Sequence, residues 1–212
     1  MEEKNYGHKP VLLEESLRAL DIKPGGTYVD GTLGRAGHSL AILRRLEGGR
    51  LIGIDRDQSA IDAARERLAD FADRVTLVHG NFQDLGDILR DLGVRRVDGM
   101  LFDLGVSSPQ LDEPERGFSY MHDAPLDMRM DTSASLDAAQ VVNTWSYEEL
   151  RRILYEYGEE RFAPQIARAI VRRREEGPIA ATGELVELIR SAMPAAALRE
   201  KQHPAKRTFQ AV

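Results

Sequence analysis

An α/β fold built on a parallel sheet is what this sequence predicts, on three observations. Four short runs rich in β-branched and apolar residues, "TYVDGT", "RLIGIDRD", "VTLVHGN" and "VDGMLFDLG", stand apart along the first half of the chain. The stretches between them carry helical periodicity, and strands alternating with helices make right-handed crossovers and hence a parallel sheet. The first run breaks at once into Gly31, Gly34 and Gly37 and then into a further helical stretch. A strand that gives way to glycines and a helix start commonly holds something small and polar.

The elements follow in order. "VLLEESLRAL" spaces Leu13, Leu17 and Leu20 by four and three, an amphipathic helix that "KPGG" stops. The first strand and its glycine loop lead to the helix "SLAILRRLE". The second strand leads to "DQSAIDAARERLADFA", with Ile61, Ala64, Leu68 and Phe71 on one face and Asp57 placed to cap its start. The third strand leads to the helix "FQDLGDILRDLG", and the fourth ends at Gly105. Residues 106–134 then read as a loop too long for a mere connector. Three helices come next. "SYEELRRILYEYG" opens on a Ser146–Glu149 capping box, "APQIARAIVRRREEG" puts Ile166 and Ile170 on one face and ends at Gly177, and "TGELVELIRSAM" completes the set. "HPAKRTFQAV" returns to no strand. The expected domains are a core over 1–105, an active-site loop over 106–134 and a helical domain over 135–212.

Composition narrows the function classes. The 42% apolar and 30% charged residues are those of a soluble globular protein, and no apolar run approaches the roughly 18 residues of a membrane span. "MEEKNYGHKP" has no apolar signal core, so a cytoplasmic protein is expected. The absence of cysteine rules out disulfides and thiolate metal sites, and His8, His38, His79, His122 and His203 form no ligand spacing, so no metal is expected. A net charge of −6 argues against unspecific nucleic-acid binding by the whole surface, while leaving room for local basic faces.

The glycine loop narrows the ligand. A dinucleotide fingerprint needs G-x-G-x-x-G, but these glycines fall three and three apart, and no Lys-Ser/Thr pair follows as in a P-loop. Asp30 beside the loop disfavours pyrophosphate and suits a cationic amino-acid group. Asp55 at the end of the second strand suits both hydroxyls of a ribose. Asn81 and Phe82, past the third strand, can hydrogen-bond and cover an adenine ring, and Asp103 ends the fourth. A ligand with an adenosine, no phosphate and an ammonium–carboxylate end is S-adenosylmethionine. Strand-end aspartates are also ordinary caps; the reading rests on four consecutive strand ends carrying suitable groups.

"DLGVSSPQLD" follows the fourth strand directly. Methyl transfer to an aromatic amine requires the nitrogen lone pair to be drawn out of the ring, which acceptors holding the amine hydrogens can do. Asp103 and a rigid Ser108-Pro109 turn are candidates; the alternative is a proline-stiffened turn over the sheet edge. His38, at a helix start, is read as hydrogen-bonding the loop or the cofactor. Arg116, Phe118 and Tyr120 either receive an extruded base or pin their loop to the core. Arg168, Arg172, Arg173 and Arg174, with Lys201, Lys206 and Arg207, either meet RNA phosphates or form a solvated face.

Taken together, "DGTLGRAGHS", "IDRD", "HGNF", "DLGVSSPQLD", "ERGFS", "PLDMRMD", "YGEERFA", "IARAIV" and "HPAKRTFQAV" resemble the RsmH (MraW) family of bacterial small-subunit rRNA cytosine-N4 methyltransferases, from about His8 to Val212. The resemblance implies a class I S-adenosylmethionine-dependent methyltransferase fold, a Rossmann-like parallel sheet with a helical insertion domain after the fourth strand. Its implied substrate is a cytidine of 16S rRNA in the small ribosomal subunit, methylated on N4. With the glycine loop, the expected cofactor set is Gly34, Ala36, Gly37, His38, Asp55, Phe82, Asp103 and Gln110, and the expected catalytic set Asp103, Ser108 and Pro109. Family members often have glycine in place of Ala36, and a methyl fits there if the backbone angle is negative. They also continue past "RTFQAV" with further strands, so an incomplete sheet with an uncovered edge is expected. Two rival readings are an NAD-type oxidoreductase, which the glycine spacing disfavours, and a non-catalytic remnant that binds S-adenosylmethionine or RNA.

Overall fold

The computed structural model describes residues 10–212, so His8 lies outside the described residues. The chain divides after Gly105 into two compact units. In the first, α1 (Leu13–Leu20) precedes β1 (Thr27–Asp30), α2 (Gly37–Leu43), β2 (Arg50–Asp55), α3 (Gln58–Arg67), β3 (Val75–His79), α4 (Leu85–Asp91) and β4 (Gly99–Leu101). All pairings are parallel, in the order β3-β2-β1-β4. The expected α/β fold is what forms.

Strand side chains alternate between two faces, and here both faces are covered. Tyr28 and Leu51 pack with Leu17, Ile42, Leu43, Ile61 and Leu68, from α1 to α3 and the turn after it. Val29, Ile52 and Ile54 pack on the other face with Val94, Ile88 and Leu89. Ile54 is fully buried, and a buried side chain of that size contributes about 1.5–3 kcal/mol. Asp57 caps α3 as expected, its carboxylate accepting the amide of Ser59 at 3.0 Å.

The fourth strand is shorter than the sequence suggests. Pairing stops at Leu101, whose carbonyl accepts the Gly31 amide at 2.9 Å, and Phe102 and Asp103 lie beyond the strand. Among the described residues β4 pairs on one side only, and its Met100 is 42% exposed.

The second unit holds α5 (Ser108–Asp112), α6 (Ala138–Thr144), α7 (Tyr147–Glu156), α8 (Ala163–Arg173), α9 (Thr182–Ala192) and α10 (Lys206–Ala211). Val142, Leu150, Leu154, Ile166, Ile170, Leu185 and Ile189 form its core. The capping box on α7 is present: the Ser146 hydroxyl accepts the Glu149 amide at 3.2 Å and Glu149 accepts the Ser146 amide at 2.8 Å. The stretch expected to be loop contains α5 and is stitched to α9. Leu126 donates to the Ala180 carbonyl at 2.9 Å, and the Thr182 hydroxyl donates to the His122 carbonyl at 2.7 Å. Among the described residues no helix is long and apolar enough to cross a membrane.

Candidate ligand site at the strand ends

The carboxyl ends of parallel strands are where open α/β sheets bind ligands, and in the first unit they carry a connected set of polar groups. Asp55, last in β2, accepts two backbone amides, Gly34 on Oδ2 at 2.8 Å and Asp57 on Oδ1 at 2.9 Å. Burial pushes its carboxyl above the ordinary range, and those amides pull it back. The Arg56 amide also contributes, and a carboxylate offers about four acceptor sites, so acceptor capacity remains. Asp55 therefore anchors the glycine loop to β2 and, half-buried at the strand end, keeps acceptor capacity.

Asp30 is placed differently from the expectation. It is buried, at 1% exposure, with Ser39 Oγ donating to Oδ2 at 2.7 Å and the Thr32 amide to Oδ1 at 3.2 Å. Burial raises its pKa. It braces the loop against α2 and presents no surface to an ammonium group.

The loop itself is left-handed at two points, Gly34 at φ 48° and Ala36 at φ 57°. The negative angle that would make Ala36 easy is not what forms, and an L-residue there costs about 1–2 kcal/mol. The Ala36 methyl is fully buried, so packing holds the strained residue in place. α2 starts at Gly37, where a Cβ would run into the ring of Pro10. His38 is 8% exposed and its Nε2 lies 3.0 Å from the Val11 carbonyl. Facing a carbonyl, that nitrogen donates. The sequence offered the loop or the cofactor as its partner; the structure shows a bond to the segment before α1.

Phe82 opens a short 3₁₀ turn after β3, capped by Asn81 Oδ1, which accepts the Gln83 amide at 3.1 Å. The Phe82 ring is 37% exposed and meets Phe102 edge to face, with centroids 5.5 Å apart. Asp103 is exposed, and its amide donates to Thr32 Oγ1 at 2.6 Å, tying the segment after β4 to the glycine loop. Gly34, Asp55, Phe82 and Asp103 thus share one end of one sheet.

In the second unit the Ser108-Pro109 turn is the first turn of α5, with Pro109 where a missing N–H is harmless. Gln110 is buried and its Oε1 accepts the Ser107 amide at 2.9 Å. The aromatic residues after it pin rather than protrude. Phe118 is buried, and Tyr120 stacks on His203 at 4.5 Å and meets Phe209 edge on. Arg116 donates to the carbonyls of Arg129 and Met130 at 3.0 and 3.3 Å. Asp127 and Arg129, which the sequence reading passed over, form a forked pair; the Arg129 guanidinium holds the Asp127 carboxyl below its usual range.

The basic run on α8 is partly structural. Arg174 donates to the carbonyls of Val142 and Trp145 at 3.0 and 2.7 Å, closing the end of α6. Arg173 donates to Gly177 and pairs with Glu184. Arg207 donates to the Glu159 carbonyl at 2.7 Å. Arg168, over the ring of Tyr147, and Arg172 remain exposed. Among the described residues no group of three or more His, Cys, Asp or Glu side chains is placed to hold a metal ion.

A Rossmann-like sheet, a glycine loop unlike a dinucleotide fingerprint, and an acid poised at the end of β2 define a protein of the class I methyltransferase kind. The chain belongs to the MraW methylase family, whose model matches residues 5–212. Ribosomal RNA small subunit methyltransferase H of Brevibacillus brevis is 60% identical over 209 residues, covering 98% of this chain and 67% of that protein. Its namesake in Symbiobacterium thermophilum is 57% identical over 208 residues, covering 98% and 65%. The chain therefore spans about two thirds of the length of these curated relatives. A solved rRNA methylase of Streptococcus thermophilus overlaps 63% of this chain and 83% of its own at 20% identity and a TM-score of 0.36, too slight a likeness to bear on function.

Proposed function

We propose that this chain carries the cofactor site and helical insertion of a methyltransferase that moves a methyl group from S-adenosylmethionine to N4 of a cytidine in 16S rRNA of the small ribosomal subunit. The observation that carries the reading is Asp55, a half-buried carboxylate at the end of β2 held by the amides of the glycine loop and of the turn after the strand. The relatives' names supply the substrate class.

The residues fit such a cofactor. Asp55 accepts the vicinal ribose hydroxyls, Phe82 covers the base, and Gly34, Ala36, Gly37 and His38 supply backbone at the loop. Bound S-adenosylmethionine supplies an electrophilic methyl on a sulfonium. Asp103 is exposed at the strand end, and its carboxylate accepts hydrogens of the exocyclic amine. Holding those hydrogens draws the nitrogen lone pair out of the ring and gives the departing proton an acceptor. Residues 1–105 serve as the cofactor core, 106–134 as the active-site segment and 135–212 as the substrate-recognition domain, in the cytoplasm of a bacterium. No metal is needed for this in-line displacement.

An N4 amine in a duplex is tied to guanine, so the substrate is an unpaired or extruded cytidine. The test supplies methyl-labelled S-adenosylmethionine to assembled small subunits that lack the modification and to a short RNA, with a longer family member as positive control. After digestion, mass spectrometry should find the label on cytidine N4, and far more of it from subunits, where neighbouring RNA and protein fix the geometry. Label on another atom, or a preference for the free short RNA, would overturn the proposal.

A further inference from the structure

We infer that Phe102 is a second ligand-contacting aromatic of the strand-end site, forming with Phe82 a corner that receives a purine base, and that Gly31 lacks a side chain in order to seat it. The inference rests on the adenosine-bearing ligand proposed above.

Phe82 follows β3 and Phe102 follows β4, the two outer strands of the sheet. Their rings nonetheless meet at the carboxyl end, 5.5 Å apart and inclined at 66°. Reaching across is possible because of one residue. Gly31 continues β1 beside Leu101, and a Cβ built on it would fall within the Phe102 ring. The ring therefore lies over the bare backbone of β1. Packing does not bury either aromatic: Phe82 is 37% and Phe102 40% exposed, while Val29, Ile52 and Ile54 on the sheet are at most 1% exposed. Two half-exposed rings steeply inclined to one another offer one face for stacking and one edge, the two arrangements flat aromatic groups prefer. Asp55 lies on β2, next to β3 in the sheet, so the ribose acceptor and the aromatic corner share one end of the sheet. A flat apolar heterocycle joined to a diol matches that pairing.

The test is titration of the 212-residue chain and its Phe102→Ala, Phe102→Leu and Asp55→Ala variants with two ligands. One is S-adenosylhomocysteine; the other is S-ribosylhomocysteine, which keeps the ribose and amino acid but has no base, followed at millimolar concentration by ligand-observed NMR. Phe102→Ala should weaken S-adenosylhomocysteine about tenfold to a hundredfold, the range for loss of a stacked base, with Phe102→Leu between. Affinity for the base-free ligand should not move. Equal losses for both ligands would make Phe102 merely structural, and no loss for either would remove it from the site; both overturn the inference. Asp55→Ala should weaken both ligands, so its loss beside an unaffected Phe102→Ala would leave the cofactor reading standing without this residue. Failure of the folded, unaltered chain to bind S-adenosylhomocysteine would overturn both.

Discussion

Replacing Asp55 with alanine removes two interactions at once, one with the fold and one with the ligand, and the structure sets the size of each. In the fold, the amides of Gly34 and Asp57 lose a carboxylate acceptor. Hydrogen bonds to charged groups contribute about 1.5–3 kcal/mol each. Burial raises the Asp55 pKa, so desolvation of the charge takes back part of that gain. Asp55→Ala is therefore expected to lose about 2–3 kcal/mol of stability, less than the plain sum of two such bonds. Asp55→Asn keeps one acceptor oxygen but turns an NH₂ toward the other amide, and should lose about half as much. For the ligand, losing both ribose hydroxyl contacts is expected to cost about 2–3 kcal/mol, or about 30- to 150-fold in affinity. Urea denaturation gives the first quantity, and calorimetry with S-adenosylhomocysteine at a temperature where both proteins are folded gives the second. An Asp55→Ala protein as stable as the parent to within about 0.5 kcal/mol, the usual effect of a surface change, would refute the anchoring role. Unchanged affinity would refute the ribose assignment.

Other expectations follow from the same site and its supports. Ala36→Gly relieves a left-handed alanine but loses a buried methyl and loosens the unfolded chain, so its stability should stay within about 0.5 kcal/mol of the parent, whereas β-branched Ala36→Val should fall well below it in urea melts. For Asp30, whose pKa burial raises above 3.8, the native state takes up its proton before the unfolded chain does. Stability relative to Asp30→Asn should thus rise as pH falls from neutral toward about 3.8 and then level off; a gap that narrows instead would contradict the buried ionisation. Asp103→Asn keeps the shape but weakens the acceptor, so single-turnover methyl transfer at saturating cofactor should slow while the melting midpoint hardly moves. Arg174→Ala should cost about 1–3 kcal/mol of stability because two carbonyls at the end of α6 lose their donor, while Arg172→Ala should instead lower RNA affinity and its salt dependence.

The first unit was legible because its signals are local. β-branched runs, the Asp57 cap and the spacing of Ile61, Ala64 and Leu68 all act within a few residues, and each appears where the sequence placed it apart from a fourth strand that ends early. The short α5, α6 and α10 escaped because five to seven residues carry too little periodicity and, unlike α2 and α4, no pair of flanking strands marks them as crossovers. For α6 the one local signal was its cap, Asp137 accepting the Gln140 amide at 2.7 Å. What sequence could not reveal was tertiary competition for polar and aromatic groups. Asp30 reads as a ligand group until Ser39 is seen to claim it, and Arg174 reads as either an RNA contact or part of a solvated face until the carbonyls of Val142 and Trp145 appear beside it. Tyr120 reads either as a stacking platform or as a pin for its loop, and His203, 83 residues further on and against its ring, decides for the pin. Phe102 went unnoticed for the opposite reason: its partner Phe82 stands on the far edge of the sheet, a neighbour only after folding.

The central claim is that the strand ends of this sheet hold an adenosine-bearing sulfonium ligand and no dinucleotide. Equilibrium dialysis of the 212-residue chain against labelled S-adenosylmethionine tests it directly, with S-adenosylhomocysteine and NAD as competitors. One saturable site is expected, emptied by S-adenosylhomocysteine and untouched by NAD at the same concentration. Displacement by NAD, or the absence of saturable binding to the folded chain, would contradict it.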